Sequence, residues 1–436
     1  MKTEGQIWDK KENSFARKYP DSSYSKSIQY SPYYLKEDLP IAISIQGEII
    51  CIPKTSSARH LAVVGSSQTL KSTFMFALMD RKRWYWKDRC FWANDIIDYL
   101  SYDHRITCQN PTFKKQLRYL GEQPKGLPLV FLYPNTNTLK FKGPNDSKTG
   151  LYEIPISIPF EEFINNPEQF ERVCGKMKDS KNYFKELKEQ LEGCKTKEEV
   201  LEKLESLPSA QTKTKLTAML KNAFEESVFD IENNGVSTVR VTQNKKSLVT
   251  DPISAMMVAG LVPSLITTNL STKDYMPDIF GYYFRKIFEE KQDGVLNPFP
   301  ISIYCDEIHT ILEKKNLEII KRIVREGCNL DNGGISFHWI AQNYHKVDSF
   351  IRDNTHYLIA ARNNSDAAKK IAEDYDLDKS YIEKMKDLET FECLLLTKER
   401  FKVYSPDRNL WYYTKDPIFG KIIQGLSAHR IGLNKK

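Results

Sequence analysis

Gly65, Ser66, Ser67, Gln68, Thr69, Leu70, Lys71, Ser72 and Thr73 stand between two apolar runs, HLAVV and FMFAL. A strand, a small polar loop and a helix in this order make a phosphate cradle. Backbone N–H groups and a helix N-terminus face the oxygens, Lys71 is the point charge, and Ser72 offers a hydroxyl to magnesium. A second stretch, PFPISIYCDEIHTIL from Pro298, ends an apolar run in two adjacent carboxylates, Asp306 and Glu307. Phosphoryl chemistry uses both: Asp306 to hold the ion through its water shell, Glu307 to orient or deprotonate the attacking water. The pair predicts a nucleotide-hydrolysing core that uses Mg2+. The bland readings are a strand-turn-helix with a surface lysine and a capping acid at a strand end. One residue departs from the G-x-x-x-x-G-K-S pattern: Leu70 occupies the place of the second glycine.

These groups have to be brought together by their elements. From Pro40, IAISIQGEIICIP alternates and turns at Gln46-Gly47, which predicts a small hairpin before the first core strand. RCFWANDII, LPLVFLYP, GISFHWIAQN, THYLIAAR, FECLLLT and RFKVY read as strands. Helices are expected over about 252–268, 277–291 and 309–326, near 347–351, and at SDAAKKIAEDY. Strands alternating with helices indicate an α/β protein with a doubly wound, mostly parallel sheet. Between about 160 and 235, FKELKEQLEG, KEEVLEKLESL and KTKLTAMLKNAFEESVF carry apolar residues at helical spacing. They predict a helical insertion whose leucine stripe is a packing surface, with a protein partner as a further possibility. The chain therefore divides into a polar arm (1–40), a first core half (41–159), the insertion (160–235), a second core half (236–405) and a basic tail (406–436).

Net charge is +7 and is unevenly placed. From Lys398 to Lys436 nine basic residues stand against three acidic ones, interleaved with Phe401, Tyr404, Trp411, Tyr412 and Tyr413. Such a segment suits either phosphate contact with base stacking or a solvated surface over core aromatics. The eight cysteines form no C-x-x-C pair, and several sit in apolar runs, which favours a reducing cytosol over a disulfide framework. The histidines show no metal-ligand spacing. The N-terminus, MKTEGQIWDKKENSF, lacks an apolar signal core. The uncharged run from Pro252 to Thr272 is broken by Ser254, Gly260, Pro263 and Ser264, and reads as a buried helix beneath the sheet rather than a membrane span. A cytoplasmic protein is expected, with association with a virion or mobile element left open.

A third element follows the acids: IVREGCNLDNGGISFHWIAQNYHKVDSFIRDNTHYLIAARNNSDAAKKI. An Arg-Glu-Gly at a helix end, a strand closing in Ala-Gln and a later strand closing in Arg resemble the HerA/FtsK superfamily of hexameric DNA-pumping ATPases. The resemblance spans roughly 41–125 and 248–405. It implies a RecA-like P-loop core with ATP as its nucleotide, double-stranded DNA as partner, and a homo-oligomeric ring, a hexamer, with the nucleotide between subunits. It places a γ-phosphate sensor on Gln342 and an arginine finger from the neighbour on Arg325 or Arg362. Cys328-Asn329 stand where the family has Arg-Lys, and the segment before the cradle is too short for the β-barrel of HerA helicases. The chain thus looks like the smaller members used for genome packaging or DNA transfer. Asp306-Glu307-Ile308-His309 superficially resembles a DExH box, but no second lobe of comparable size follows. The competing class is a non-hydrolysing P-loop scaffold that assembles partners, for which Leu70 argues. A third reading is a secretion-type motor for protein–DNA conjugates.

Overall fold

The computed structural model describes residues 38–66, 71–93, 120, 122, 129–134, 152–165, 180–207, 210–225, 229–231, 238–243, 246–265, 276–312 and 314–423. A fourteen-stranded sheet organises them. In chain order the strands are β1 (Leu39–Ser44), β2 (Ile49–Ile52), β3 (Leu61–Val64), β4 (Arg89–Ala93), β5 (Leu129–Pro134) and β6 (Tyr152–Ile156). After the short β7 (Ile158–Pro159) and β8 (Phe229–Asp230), and a β9 (Val239–Gln243)–β10 (Lys246–Thr250) hairpin, come β11 (Val262–Leu265), β12 (Ile301–Cys305), β13 (Ile335–Ala341) and β14 (Tyr357–Ala360). The last four are β15 (Glu392–Thr397), β16 (Phe401–Ser405), β17 (Leu410–Thr414) and β18 (Ile418–Ile422). Their spatial order is β17-β16-β2-β1-β18-β15-β14-β3-β13-β12-β4-β11-β5-β6.

The helices are α1 (Lys71–Arg81), α2 (Phe160–Asn165), α3 (Ser180–Leu191), α4 (Lys197–Glu205), α5 (Ala210–Glu225), α6 (Pro252–Val258) and α7 (Met276–Gln292). They continue with α8 (Ile308–Ile311), α9 (Lys314–Glu326), α10 (Ser349–Asp353), α11 (Ser365–Asp374) and α12 (Lys379–Lys386). Two-residue periodicity splits β3 between the two sides of the sheet: Leu61 and Val63 join α1 in one apolar cluster, Ala62 and Val64 join α7, α9 and α11 in the other. Both faces are covered, which is why the parallel strands read as unbroken apolar runs. The insertion feeds the same core, since Leu187, Leu191, Val200, Leu204, Leu216 and Leu220 all belong to the larger cluster.

The helix expected over 309–326 is two, α8 and α9, and two further stretches differ from the sequence-based expectation. The helix foreseen over 252–268 stops at Val258, because Gly260 turns into the left-handed region (φ 79°). The chain then enters the sheet as β11, pairing in parallel with both β4 and β5. The described part of the supposed buried helix is thus a seven-residue helix followed by a four-residue interior strand. Within 406–436, β17 and β18 are sheet strands, and β18 lies between β1 and β15. Phe401 and Tyr404 are core residues, while Tyr413 is 55% exposed. Lys402 is ion-paired with Asp38 at 2.5 Å. Among the described residues no helix is long and apolar enough to cross a membrane.

A buried polar cluster fastens the strand ends opposite the cradle. Lys82 Nζ donates to Ser57 O (2.9 Å), to Ser336 Oγ (2.7 Å) and toward His338 Nε2 (3.0 Å), and is paired with Asp88 (3.2 Å). Ser302 Oγ donates to Asp88 Oδ2 (2.5 Å). These groups join the turn after α1 to the starts of β12 and β13, and each buried charge has its partner.

Candidate functional site

The site grows from the C-terminal ends of three neighbouring strands. β3 ends in Gly65 and Ser66, β12 in Asp306 and Glu307, and β13, lying between them, in Gln342. Parallel crossovers place their loops at this edge, so residues far apart in sequence arrive on one shelf. Gly65 N–H donates to Ala341 O (3.2 Å) and Ser66 N–H to Arg362 O (2.7 Å). Ser66 Oγ donates to the same Arg362 carbonyl (3.1 Å), which pins the start of the loop to the end of β14. Ser67, Gln68, Thr69 and Leu70 lie outside the described residues.

Lys71 opens α1, is nearly buried (8% exposed), and its Nζ donates to Ser66 O (2.7 Å). Burial lowers its pKa, against the pull of Asp306 and Glu307. Ser72 Oγ donates to Asp306 Oδ2 at 2.6 Å, and the Glu307 N–H donates to Asp306 Oδ1 at 2.8 Å. Burial pushes the Asp306 carboxyl up to about 6, although these two hydrogen bonds and Lys71 oppose the shift. Gln342 Nε2 donates to Glu307 Oε1 at 3.1 Å. Glu307 itself sits at φ 46°, ψ 55°, a left-handed conformation that costs a side-chain-bearing residue roughly 1–2 kcal/mol. The turn aims its carboxylate along the shelf toward Gln342, and strain of this kind is typical of working residues. Thr73 follows on α1 and, among the described residues, makes no hydrogen bond to the cluster.

Lys71, Ser72, Asp306, Glu307 and Gln342 are therefore brought together. A hydroxyl and a carboxylate in direct contact beside a lysine fit a magnesium-bound phosphate, because both oxygens are hard donors and the lysine meets the remaining charge. The two arginines separate. Arg362 is exposed on the same shelf, its carbonyl bonded to the cradle. Arg325 is in the last turn of α9, whose end meets the other end of β3: His60 Nε2 lies 2.8 Å from Val324 O. From His60 to Gly65 an extended chain spans roughly 15–20 Å, well beyond an arginine side chain. Arg325 is 63% exposed and ion-paired with Glu326 (2.7 Å), which also holds Arg322 (3.1 Å).

Sequence reasoning passed over two features of this region. The left-handed turn at Glu307 leaves no mark in residue types. His60 reads only as the polar first residue of an apolar strand, and that is its one sequence signal.

No family model and no curated protein sequence matches the chain. Solved structures do match. VirB4 of Thermoanaerobacter pseudethanolicus superposes with a TM-score of 0.52 at 11% identity, covering 88% of this chain and 95% of that one. The bacterial conjugative coupling protein TrwBΔN70 gives 0.50 at 11%, covering 92% and 93%. The plasmid coupling protein TrwB in complex with the non-hydrolysable GTP analogue GDPNP gives 0.50 at 10%, covering 90% and 91%. The chain shares their RecA-like α/β fold over nearly its whole length.

Proposed function

We propose that this protein is a HerA/FtsK-type ATPase that drives double-stranded DNA, working as a ring with nucleotide sites between subunits. The observation that carries the reading is the contact of Ser72 with Asp306, extended through Glu307 to Gln342. Ser72, the two acids and Gln342, spread over about 270 residues of sequence, meet on one shelf, an arrangement that phosphoryl transfer to water would use. The fold shared with TrwB, a coupling protein that holds a nucleotide analogue, supports it.

Lys71 would neutralise the terminal phosphates. Ser72 and Asp306 would hold Mg2+, which when bound offsets charge on the phosphate oxygens. Glu307, oriented by the Gln342 amide, takes a proton from water as the water oxygen attacks the γ-phosphorus and the bond to the bridging oxygen breaks. Arg325 lies at the opposite end of β3 from its own cradle and serves a neighbouring subunit, where an arginine finger contributes on the order of 10³-fold or more. Arg362 stays beside its own cradle. DNA contact through basic residues makes binding salt-dependent.

An ATPase assay with and without double-stranded DNA, at two salt concentrations, tests this. DNA-stimulated hydrolysis that weakens with salt is expected. Nucleotide binding with no turnover under either condition would replace the motor with the non-hydrolysing scaffold that Leu70 suggests.

A further inference from the structure

We propose that His60 is a positioning residue for Arg325, and that β3 thereby links the two nucleotide sites that one subunit touches. The inference rests on the trans role of Arg325 given above. His60 is buried, immediately before β3. Its Nδ1 accepts the Phe337 N–H at 2.9 Å, so its proton is on Nε2, which donates to Val324 O at 2.8 Å. Val324 is the residue before Arg325, in the last helical turn, where carbonyls have no helical partner. Cys328, just past the helix, donates its thiol hydrogen to Ala58 O (2.8 Å) and lies 3.2 Å from His60 Nε2. The end of α9 is thus stitched to the segment leading into β3 at two points, one on each side of Arg325.

Glu326 then sets the side chain. One of its oxygens accepts from both Nε (3.3 Å) and an Nη (2.7 Å) of Arg325, and the other accepts from Arg322. The backbone anchor is buried and the side-chain anchor is exposed. A neighbour's phosphate can exchange with Glu326, whereas His60 keeps the helix end in place. At the other end of the same four-residue strand is the cradle, Gly65 and Ser66. β3 is held in register by β13 and β14 on either side, which fixes the spacing between the cradle and His60. A displacement of the cradle would thus reach Val324 through β3 and the His60 imidazole.

The test separates finger defects from general damage. His60→Asn keeps an acceptor for Phe337 but ends short of Val324, while His60→Gln extends an amide to that carbonyl. His60→Asn is expected to lower kcat for ATP about 3- to 30-fold at unchanged KM, with His60→Gln restoring most of it. In rings assembled from two kinds of subunit, His60→Asn mixed with Lys71→Ala should gain activity, as the control mixture of Arg325→Ala with Lys71→Ala does. Mixed with Arg325→Ala it should gain none beyond the sum of the parts. Gain in both mixtures or in neither, with the control recovering, overturns the role of His60. A folded His60→Asn with parental kcat does the same. A control mixture that stays silent removes the trans finger itself, and the role of His60 with it.

Discussion

The two halves of the sheet follow opposite rules. From β14 through β3, β13, β12, β4, β11 and β5 to β6, every neighbouring pair is parallel. From β14 outward through β15, β18, β1, β2 and β16 to β17, every pair is antiparallel. Every residue placed at the candidate site hangs from the parallel half. The antiparallel half contributes Ile41, Ile50, Leu395, Phe401 and Val403 to the cluster that covers α1 and, among the described residues, no acid or base to the shelf. One half carries the candidate site and the other closes the core over the helix that carries Lys71 and Ser72.

Substitutions should respect that division. The largest effect is expected from Glu307→Gln, which keeps the shape and loses the base: ATP hydrolysis should fall by about 10²- to 10⁴-fold with nucleotide still bound. Steady-state rates paired with equilibrium binding check it, and a parental rate would end the assignment. In the other half, Phe401→Ala removes a fully buried ring. It should cost about 3–5 kcal/mol in denaturant unfolding, with kcat per folded molecule intact. Lost turnover in that folded fraction would show that the cover takes part in the chemistry.

Acid should weaken the parallel half. Burial lowers His60 to about 3 and His356 to about 4, against 6.5 unfolded. Both are neutral in the fold, so their stabilisation is complete above pH 6.5 and is lost as pH falls toward those values. Asp306 acts in the opposite sense: pushed up to about 6, it takes a proton more readily folded than unfolded, and offsets part of the loss between pH 6 and 3.8. Calorimetric melting at pH 7.5 and 5 should show a lower Tm at pH 5, with a smaller drop in His356→Asn. The smallest effect is expected from Leu70→Gly. Where a loop needs positive φ, a side chain costs roughly 1–2 kcal/mol, so glycine should tighten nucleotide binding by about tenfold. Calorimetric titration with a non-hydrolysable ATP analogue reads it directly.

The same contrast explains what the sequence discloses. In the middle of the parallel half, β3, β12, β13 and β14 are local units, each an apolar run followed by a helix, and Asp306, Glu307 and Gln342 stand at run ends where a reader of spacing looks. The antiparallel half depends on pairing at a distance. β18 contains Gly420 and Lys421 and follows Pro417, so IFGKI carries little strand pattern, and its partners are set by register alone. β11, with Pro263 and Ser264 in four residues, was masked by the helical start at Asp251 and Pro252. Asp251 Oδ1 accepts the Ser254 N–H at 2.9 Å, a cap whose strength says nothing of how far the helix runs.

The position of β18 also sets a clock on synthesis. Ser44 of β1 pairs with Gly420 of β18, about 380 residues later. At 5–20 residues per second, a ribosome takes roughly 20–75 s to supply the missing partner. Through that interval the β1–β2 hairpin offers an unsatisfied edge of buried-type side chains, Leu39, Ile41 and Ile43 among them. Nascent chains would be the form most in need of a chaperone, and a stop codon shortly before Ile418 would yield a product that aggregates despite carrying every residue of the candidate site.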